Sequence, residues 1–255
     1  SMQVSLTDLE KSIFEKVASA AVILQYPTYV VGGFVRDKIL DRATKDIDIV
    51  CLGDGLALAT AFANQFSPKP PVSLFKTFGT AQVKLHSIEI EFVGARKESY
   101  ARDSRKPSVL PGSIEDDQNR RDFTVNALAV SLIKNNFGKL IDPFGGIEDL
   151  KNKILRTPLA AEKTFDDDPL RMMRAIRFAT QLGFTILDEV FDAIKRNTER
   201  IRIISQERIT DELNKIMASG KPSVGLDMLF RSGLLKEFFP QFVALSGVEI
   251  IEGKG

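Results

Sequence analysis

The pattern of helices and strands changes near residue 147, and this change limits what the chain can fold into. Before it, amphipathic helical stretches alternate with short strand patterns, and after it only helical patterns occur. Strands mixed with helices are typical of an α+β domain, whereas helices alone form bundles. We therefore predict an α+β domain with a mainly antiparallel or mixed sheet over residues 1–140, followed by helical parts over residues 141–220 and 221–255.

The first part contains clear local start and stop patterns. Thr7 and Glu10 form a capping box that opens a helix, and Pro27 ends it. Residues 76–85 and 88–93 alternate apolar and polar side chains, which predicts two strands joined by a tight turn.

Two later segments of the first part are less regular. Residues 97–118 are polar, carry two prolines and break all periodicity, which predicts a mobile loop. A functional loop and an excursion without function explain this composition equally well. Residues 120–133 are amphipathic, which predicts a helix or a helix followed by a strand.

The composition excludes several functional classes. The net charge of +1 gives no overall attraction to nucleic acid, so any such binding must come from local basic faces. The single cysteine, Cys51, rules out an internal disulfide, and with His86 as the single histidine there is no zinc-site pattern. No apolar run approaches the roughly 20 residues of a membrane span. We expect a cytoplasmic protein with no membrane partner.

The most informative short pattern is the pair of aspartates at Asp46 and Asp48. Alternate residues of a strand point to the same face, so these carboxylates lie side by side, roughly 7 Å apart along the strand, and repel each other. A divalent cation removes the repulsion, and Mg²⁺ prefers oxygen ligands from one or two carboxylates plus substrate phosphates. Two solvent-exposed aspartates without function remain the commoner explanation of such a pattern alone.

A glycine turn precedes this strand. Gly32 and Gly33 permit a positive φ and let the backbone approach a ligand closely. The helix that follows offers unpaired N–H groups to an anion, and Arg36 adds a donor suited to phosphate oxygens. Asp37 is more simply explained as a structural carboxylate at the start of that helix.

Six ordered stretches carry a resemblance to a known family. They are GGFVRD at 32–37, DIDIV at 46–50, RRDFTVNAL at 120–128, IDPFGGIEDL at 141–150, DDPLRMMRAIRF at 167–178 and ISQERITDEL at 204–213. In sequence and order they resemble the motifs of the class II tRNA nucleotidyltransferase and bacterial poly(A) polymerase family. The resemblance implies a polymerase-β-like nucleotidyltransferase head followed by an all-α neck and the start of a helical body, which we expect to continue beyond residue 255.

The resemblance also implies roles for particular residues. Asp46 and Asp48 would bind Mg²⁺ and act in catalysis, with Glu91 as a third carboxylate because its spacing to Arg96 resembles the pattern of relatives. The residues that would bind the nucleotide are Gly32, Gly33, Arg36, Arg121, Asp122, Asn126, Asp168, Arg171, Arg174 and Arg177.

Among these residues, Asp168 and Arg171 are implied to read the base. On a helix they would share a face, and a carboxylate beside a guanidinium suits the edges of cytosine and adenine. From the sequence alone, a helix cap formed by Asp168 and the proline after it is an equally good explanation of this pattern. The basic stretch from Lys195 to Arg208 could contact RNA, although a solvated helix face is the more common explanation.

The function that the resemblance implies is addition of CCA to the 3′ end of tRNA from CTP and ATP, with release of pyrophosphate. The loop at 97–118 would then help to switch the site from cytosine to adenine. Alternatives are a CC-adding, A-adding or poly(A) polymerase variant, and a non-catalytic RNA-binding module.

Overall fold

The structure is a computed structural model that describes residues 4–99 and 108–239. The chain divides into two compact units, Ser1–Leu150 and Lys151–Gly255. The first unit extends past the predicted end at residue 140 because Thr124 Oγ1 donates a hydrogen bond of 2.6 Å to Asp149, and Leu150 is buried.

Unit 1 contains five helices and nine strands among its described residues. The helices are α1 (Asp8–Leu24), α2 (Gly33–Ile39), α3 (Gly55–Ala63), α4 (Ile114–Asn119) and α5 (Gly146–Asn152), the last of which runs two residues past the division. The strands are β1 (Thr28–Val31), β2 (Asp46–Cys51), β3 (Val72–Phe75), β4 (Thr80–Leu85), β5 (Ile88–Gly94), β6 (Arg96–Ser99), β7 (Ser108–Pro111), β8 (Ala129–Ser131) and β9 (Leu140–Ile141).

Seven strands form one sheet in the order β3-β4-β5-β2-β1-β8-β9. Only the β2–β5 pair is parallel, and the other pairs in this sheet are antiparallel. The predicted α+β class with a mainly antiparallel sheet is therefore confirmed. The parallel pair places Asp46 opposite Glu89 and Asp48 opposite Glu91, so one stretch of the sheet carries four acidic residues.

The helices of unit 1 pack on both faces of the sheet. Phe62 of α3 contacts Phe92 of β5 on one face, and Ile114 of α4 packs near Val50 on the other. α1 begins with the predicted capping box, in which Thr7 and Glu10 exchange hydrogen bonds of 2.8 and 3.1 Å. Its buried stripe includes Ile13 and Val17, and Phe14 packs edge-on against Phe34 of α2. Ile47 and Ile49 of β2 are buried on the face opposite Asp46 and Asp48, which fixes the orientation of that strand.

Two predictions for unit 1 are wrong in part. The irregular loop expected at 97–118 begins and ends in regular structure, because β6 pairs antiparallel with β7 and α4 follows. Its centre, residues 100–107, lies outside the described residues. The helix expected within 120–133 is only a 3₁₀ turn at Thr124–Asn126, because the chain must enter β8 directly afterwards.

Unit 2 is mainly helical. It contains α6 (Ala161–Asp167), α7 (Leu170–Leu182), α8 (Asp188–Asn197), α9 (Gln206–Met217) and α10 (Pro222–Ser232), and residues 234–239 are also helical. The expectation of helices alone is wrong in one detail. Ile154–Leu155 (β10) and Thr185–Ile186 (β11) form a two-residue parallel ladder, which is too short to leave a periodic pattern in the sequence.

Among the described residues, no helix combines the length and the apolar character that a membrane crossing would require.

Candidate active site

Two aspartates lie on the outward face of β2. Ile47 and Ile49 are buried beneath them, while Asp46 is exposed and Asp48 is half-buried. The alternation places both carboxylates on one face, as the strand period predicts. Glu91, on the neighbouring strand, is exposed and lies level with Asp48. We call the group formed by Gly32, Asp46, Asp48, Glu91 and Arg121 the acidic site.

The electrostatics of the acidic site centre on Asp48. Burial raises the pKa of Asp48 to about 6, the Arg121 guanidinium opposes this shift, and the carboxylates of Glu91, Asp46 and Asp117 add to it. Burial and like charges disfavour ionisation for the same reason, since the charge loses water and gains repulsion. The site thus carries more negative charge than its own cations offset, which is the condition for binding a divalent cation.

The glycine turn lies directly against this carboxylate. Gly32 has a φ of +73°, which favours glycine, and it precedes the first residue of α2. A Cβ at Gly32 would lie 3.2 Å from Nη1 of Arg121 and 3.7 Å from Oδ2 of Asp48. The fold therefore brings residues 32, 48 and 121, which are far apart in sequence, to one point.

Arg121 is held in place by a residue that the sequence analysis missed. Its guanidinium donates to both oxygens of Asp117, at 3.0 and 3.3 Å, and the Asp117 side chain is nearly buried. Asp117 lies on α4, within the segment expected to be a loop. The spacing that could have revealed it is the capping box of Ser113 and Asp116, which starts that helix.

Arg36, Asn126 and Asp122 form a buried chain of hydrogen bonds beside the glycine turn. Arg36 donates from Nη1 to Oδ1 of Asn126 at 2.5 Å and from Nε to Asp37 at 3.0 Å. Asn126 in turn donates from Nδ2 to Asp122 at 3.0 Å. The expectation that Asp37 favours the start of the helix is wrong, because α2 already begins at Gly33 and Asp37 instead pairs with Arg36.

The acidic site fits the donor set of Mg²⁺ through two carboxylates. Among the described residues, no group of three or more His, Cys, Asp or Glu side chains is arranged to hold a metal ion. Mg²⁺ needs only one or two carboxylates where water and substrate phosphates supply its other oxygen ligands. Asp46 and Asp48 could provide these two, and Glu91 lies on the adjacent strand without completing a cage.

The base-reading candidates lie in unit 2, and their geometry differs from the prediction. Asp168 has an extended backbone (φ −148°, ψ 100°) and α7 begins only at Leu170, so Asp168 and Arg171 do not share a helix face. Asp168 Oδ1 accepts from the N–H of Leu170 at 3.1 Å, so a capping role holds. Pro169, not Asp168, occupies the cap position itself.

Both residues make further contacts within unit 2. Asp168 Oδ2 accepts a hydrogen bond of 3.0 Å from Nη2 of Arg208, and both side chains are partly exposed. Arg171 donates from Nη1 to the carbonyl oxygen of Thr164 at 3.1 Å. We call Asp168, Arg171 and Arg208 the Asp168 cluster. Each Asp168 oxygen has a second lone pair and can still accept from a ligand.

The other two predicted arginines of α7 share a buried carboxylate. Arg177 is 8% exposed and donates from Nε to Glu212, which is 3% exposed and also lies 3.7 Å from Nη1 of Arg174. The Arg177 guanidinium lies 4.2 Å from the centre of the Phe178 ring. Glu212 was not recognised from the sequence, although it lies within the stretch ISQERITDEL that carries the family resemblance.

The basic stretch from Lys195 to Arg208 is largely paired within unit 2. Arg196 pairs with Glu162, Arg200 with Asp166 and Arg202 with Glu237. Most of these side chains are half or more exposed, so the pairs contribute little to stability. Such exposed pairs are compatible with a solvated face and with RNA binding, because they cost little to break.

Comparison with known families gives two matches. The model of the poly(A) polymerase head domain matches residues 28–156, and the model of the probable RNA and SrmB-binding site of polymerase A matches residues 183–245. The first covers the whole acidic site and the second lies within unit 2.

Similar full proteins are named CCA-adding enzyme or A-adding tRNA nucleotidyltransferase. A CCA-adding enzyme from a Geobacillus species is 38% identical over 231 residues, covering 88% of this chain and 54% of that protein. An A-adding tRNA nucleotidyltransferase from Aquifex aeolicus is 34% identical over 216 residues, covering 84% of this chain and 26% of that protein. The chain thus spans between a quarter and about half of the length of these relatives.

A solved structure shows the same fold. The Thermotoga maritima CCA-adding enzyme in complex with tRNA is 30% identical, with a TM-score of 0.80 over 92% of this chain and 54% of that one. Because the head-domain match covers residues 28–156, half of the sequence, this chain belongs to the poly(A) polymerase head-domain family.

Proposed function

We propose that this protein is a template-independent nucleotidyltransferase that adds CCA to the 3′ end of tRNA from CTP and ATP. The observation that carries the proposal is the convergence of Gly32, Asp48 and Arg121. A backbone turn open to a ligand, a carboxylate with unbalanced charge and a fixed guanidinium meet at one point. Transfer of a nucleotidyl group from a nucleoside triphosphate depends on such positioning and charge neutralisation.

The proposed reaction forms one phosphodiester bond. The 3′-hydroxyl oxygen of the RNA attacks the α-phosphorus, and the bond from that phosphorus to the bridging oxygen of the β-phosphate breaks. Pyrophosphate leaves with the electron pair of that bond. Glu91, exposed beside Asp48, is the proposed acceptor of the hydroxyl proton.

The residues of unit 1 would position these groups. Asp46 and Asp48 would hold Mg²⁺, which supplies charge neutralisation and in-line alignment of the attacking and leaving oxygens when bound. Arg121, fixed by Asp117, would stabilise the developing charge on the phosphates. Gly32 and Gly33 would let the triphosphate approach the backbone. The chain Arg36–Asn126–Asp122 would keep this wall of the site rigid and orient the ribose.

The Asp168 cluster would select the base. A carboxylate accepts from the exocyclic amine of cytosine or adenine, and a guanidinium donates to the ring acceptor beside it. Uracil and guanine present the opposite polarity at these positions. Asp168 and Arg171 would make these contacts. Because the proposed substrate is tRNA, we expect the protein in the cytoplasm.

The decisive experiment measures product length. A tRNA that ends before CCA is incubated with Mg²⁺ and with CTP, ATP or both, and a tRNA that ends in CC is incubated with ATP. Addition of C-C-A followed by a stop is the expected result. The variant Asp46→Asn should lose this activity, whereas Asp211→Asn, an exposed carboxylate paired with Lys215 on α9, should keep it. Normal incorporation by Asp46→Asn would overturn the proposal.

The same assay tests the second candidate, an A-adding enzyme, which the name of the Aquifex aeolicus relative favours. Incorporation of AMP only into tRNA that already ends in CC would support it. A long A tail would indicate a poly(A) polymerase. Incorporation of nothing, with retained tRNA binding, would indicate a non-catalytic RNA-binding module.

A further inference from the structure

A cavity of about 520 Å³ lies in unit 1, away from the acidic site. Its lining begins at Leu52 and Gly53, directly after the end of β2, whereas Asp46 and Asp48 lie at the start of that strand. Four residues of extended chain separate Asp48 from Leu52, which is roughly 13 Å. The volume falls within the range of ligand pockets in proteins. No role in the proposed transfer reaction accounts for this cavity.

Much of the cavity lining is backbone, because five of its thirteen residues are glycines. Gly53 and Gly94 both line it, and a Cβ on Gly94 would collide with the carbonyl oxygen of Gly53. The ends of β2 and β5 therefore pass too closely for side chains. A ligand in this cavity would meet peptide groups below it, and the side chains that could recognise it come from the rim.

Two cations lie on the rim. Lys76 is exposed, and Arg96 lies against the turn at Gly79, where a Cβ would be 2.8 Å from Nη2 of Arg96. Gly79 has a φ of +64°, so both its conformation and its missing side chain allow the guanidinium to lie there. Among the side chains that the structure describes, no carboxylate pairs with Lys76 or Arg96. Asp54 also lines the cavity, but it caps α3 by accepting from Leu56 N–H at 2.9 Å.

An aromatic ring completes the rim. Phe78 also lines the cavity and is 66% exposed, so its ring is accessible to a ligand. Inorganic phosphate would use the cations and leave the ring in water, while an apolar ligand would leave the cations unpaired. A nucleotide uses both, because its base stacks on an aromatic face and its phosphate pairs with Lys or Arg.

We propose that the cavity lined by Lys76, Phe78 and Arg96 is a second nucleotide-binding site, in which Phe78 stacks on a base and the two cations hold a phosphate. The nucleotide can be one unit of a single RNA strand or a free nucleoside monophosphate, since both present the same chemistry. This inference goes beyond the proposed transfer reaction and does not depend on it.

The test uses a fluorescein-labelled RNA pentamer and free CMP as probes. Binding is measured for the wild-type protein and for Phe78→Ala, Lys76→Gln and the control Phe137→Ala, an exposed phenylalanine of the same unit outside the cavity. Loss of one stacked base is expected to weaken binding of the preferred probe about 5- to 100-fold in Phe78→Ala. Lys76→Gln should weaken it less and lower its salt dependence, and Phe137→Ala should bind like the wild type.

A crosslinking arm locates the bound probe. A pentamer that contains 4-thiouridine is photolysed on the wild-type protein, and the crosslinked peptide is expected to include residues 76–79. A pentamer that binds much more tightly than CMP identifies an RNA strand as the ligand, and CMP that binds as tightly as the pentamer identifies a free nucleotide. Equal affinity of Phe78→Ala and wild type for both probes, or binding of neither probe by the wild type, would overturn the proposal.

A variant of the acidic site separates this proposal from the transfer reaction. Asp48→Asn is expected to bind the pentamer like the wild type, with the same crosslinked peptide, even where it has lost transfer. If Asp48→Asn loses the pentamer and Phe78→Ala keeps it, the probe binds at the acidic site. The second site is then refuted while the proposed function stands.

Discussion

The acidic site and the Asp168 cluster differ in how far their carboxylates are paired with cations. At the acidic site, Asp46, Asp48 and Glu91 lie together, and Arg121 is already engaged by Asp117. In the Asp168 cluster and on the adjacent helices, each of these carboxylates pairs with one or two guanidinium groups. Asp168 pairs with Arg208. Glu212 pairs with both Arg174 and Arg177.

This difference separates two ways of preparing a site. Unmatched carboxylates cost stability in the free protein and gain it when a cation binds, so they suit chemistry that depends on a metal ion. Matched pairs fix the direction of each polar group before a ligand arrives, so they suit recognition. The acidic site would therefore run the reaction, and the Asp168 cluster would choose the base.

The largest expected effect is the loss of nucleotide addition in the variant Asp48→Asn. Removal of a carboxylate that would hold Mg²⁺ should lower kcat/KM for nucleotide addition by on the order of a thousandfold. Glu89→Gln is the matched control. Glu89 lies two residues before Glu91 on the same face of β5, but it pairs with Lys84. Similar losses in both variants would show that the position of Asp48 has no special role.

The buried pair of unit 2 should have the largest effect on stability. Glu212→Gln leaves the nearly buried Arg177 guanidinium without its carboxylate, which should cost about 3 kcal/mol of unfolding free energy. Glu162→Gln removes the carboxylate of an exposed pair with Arg196 and should cost less than about 1 kcal/mol. Urea denaturation of both variants measures the difference, and equal costs would contradict the burial argument.

At the acidic site, removal of a carboxylate is expected to raise the stability of the folded state, whereas in unit 2 it lowers it. Because the folded pKa of Asp48, about 6, is raised above its unfolded value, the folded state loses stability as pH rises through this range. In EDTA, Asp48→Asn should therefore be more stable than wild type at pH 8, by about 1–2 kcal/mol after solvent screening of this half-buried group. The gain should vanish at pH 4, where both side chains are neutral.

Thermal unfolding at both pH values, with and without Mg²⁺, measures this effect. Mg²⁺ at pH 8 should stabilise the wild type more than the variant, because only the wild type keeps the carboxylate pair. A variant that is less stable than wild type at pH 8 in EDTA would show that Asp48 is already compensated by groups of the protein.

The sequence predicted the parts of these sites that depend on local geometry. The two-residue period of β2 placed Asp46 and Asp48 on one face, and the glycine pair predicted a turn with positive φ. Both follow from sterics within a few residues, so the pattern carries the structure. The approach of Arg121 to Gly32 joins segments that are far apart in the sequence, and only the family resemblance indicated it.

The two main errors have different physical causes. Asp168 was placed on a helix with Arg171, but Pro169 starts the helix later, so that the carboxylate turns towards Arg208 on α9. The irregular composition of residues 97–118 predicts a loop at Asp117, although the capping box of Ser113 and Asp116 starts a helix there. Arg208 lies 40 residues after Asp168, so no local spacing indicates that pair. Arg121 lies only four residues after Asp117, so the i,i+4 spacing of that pair is present in the sequence.

The smallest expected effect is a change of base preference on removal of Arg208. It tests directly whether the matched pairs of the Asp168 cluster orient the groups that read the base. If matched pairs orient the groups that read the base, removal of Arg208 should leave Asp168 present but free to rotate. Arg208→Gln should then reduce the preference for CTP over UTP by about tenfold, which is less than the reduction in Asp168→Asn, while the rate with CTP falls little.

The measurement is kcat/KM for each nucleotide, and Arg202→Gln, which loses an ion pair with Glu237, is the control. Rescue of the preference by Arg208→Lys would support positioning by charge, since lysine can still pair with one oxygen of Asp168. If Arg208→Gln discriminates as well as wild type, its pair with Asp168 supports only the fold of unit 2.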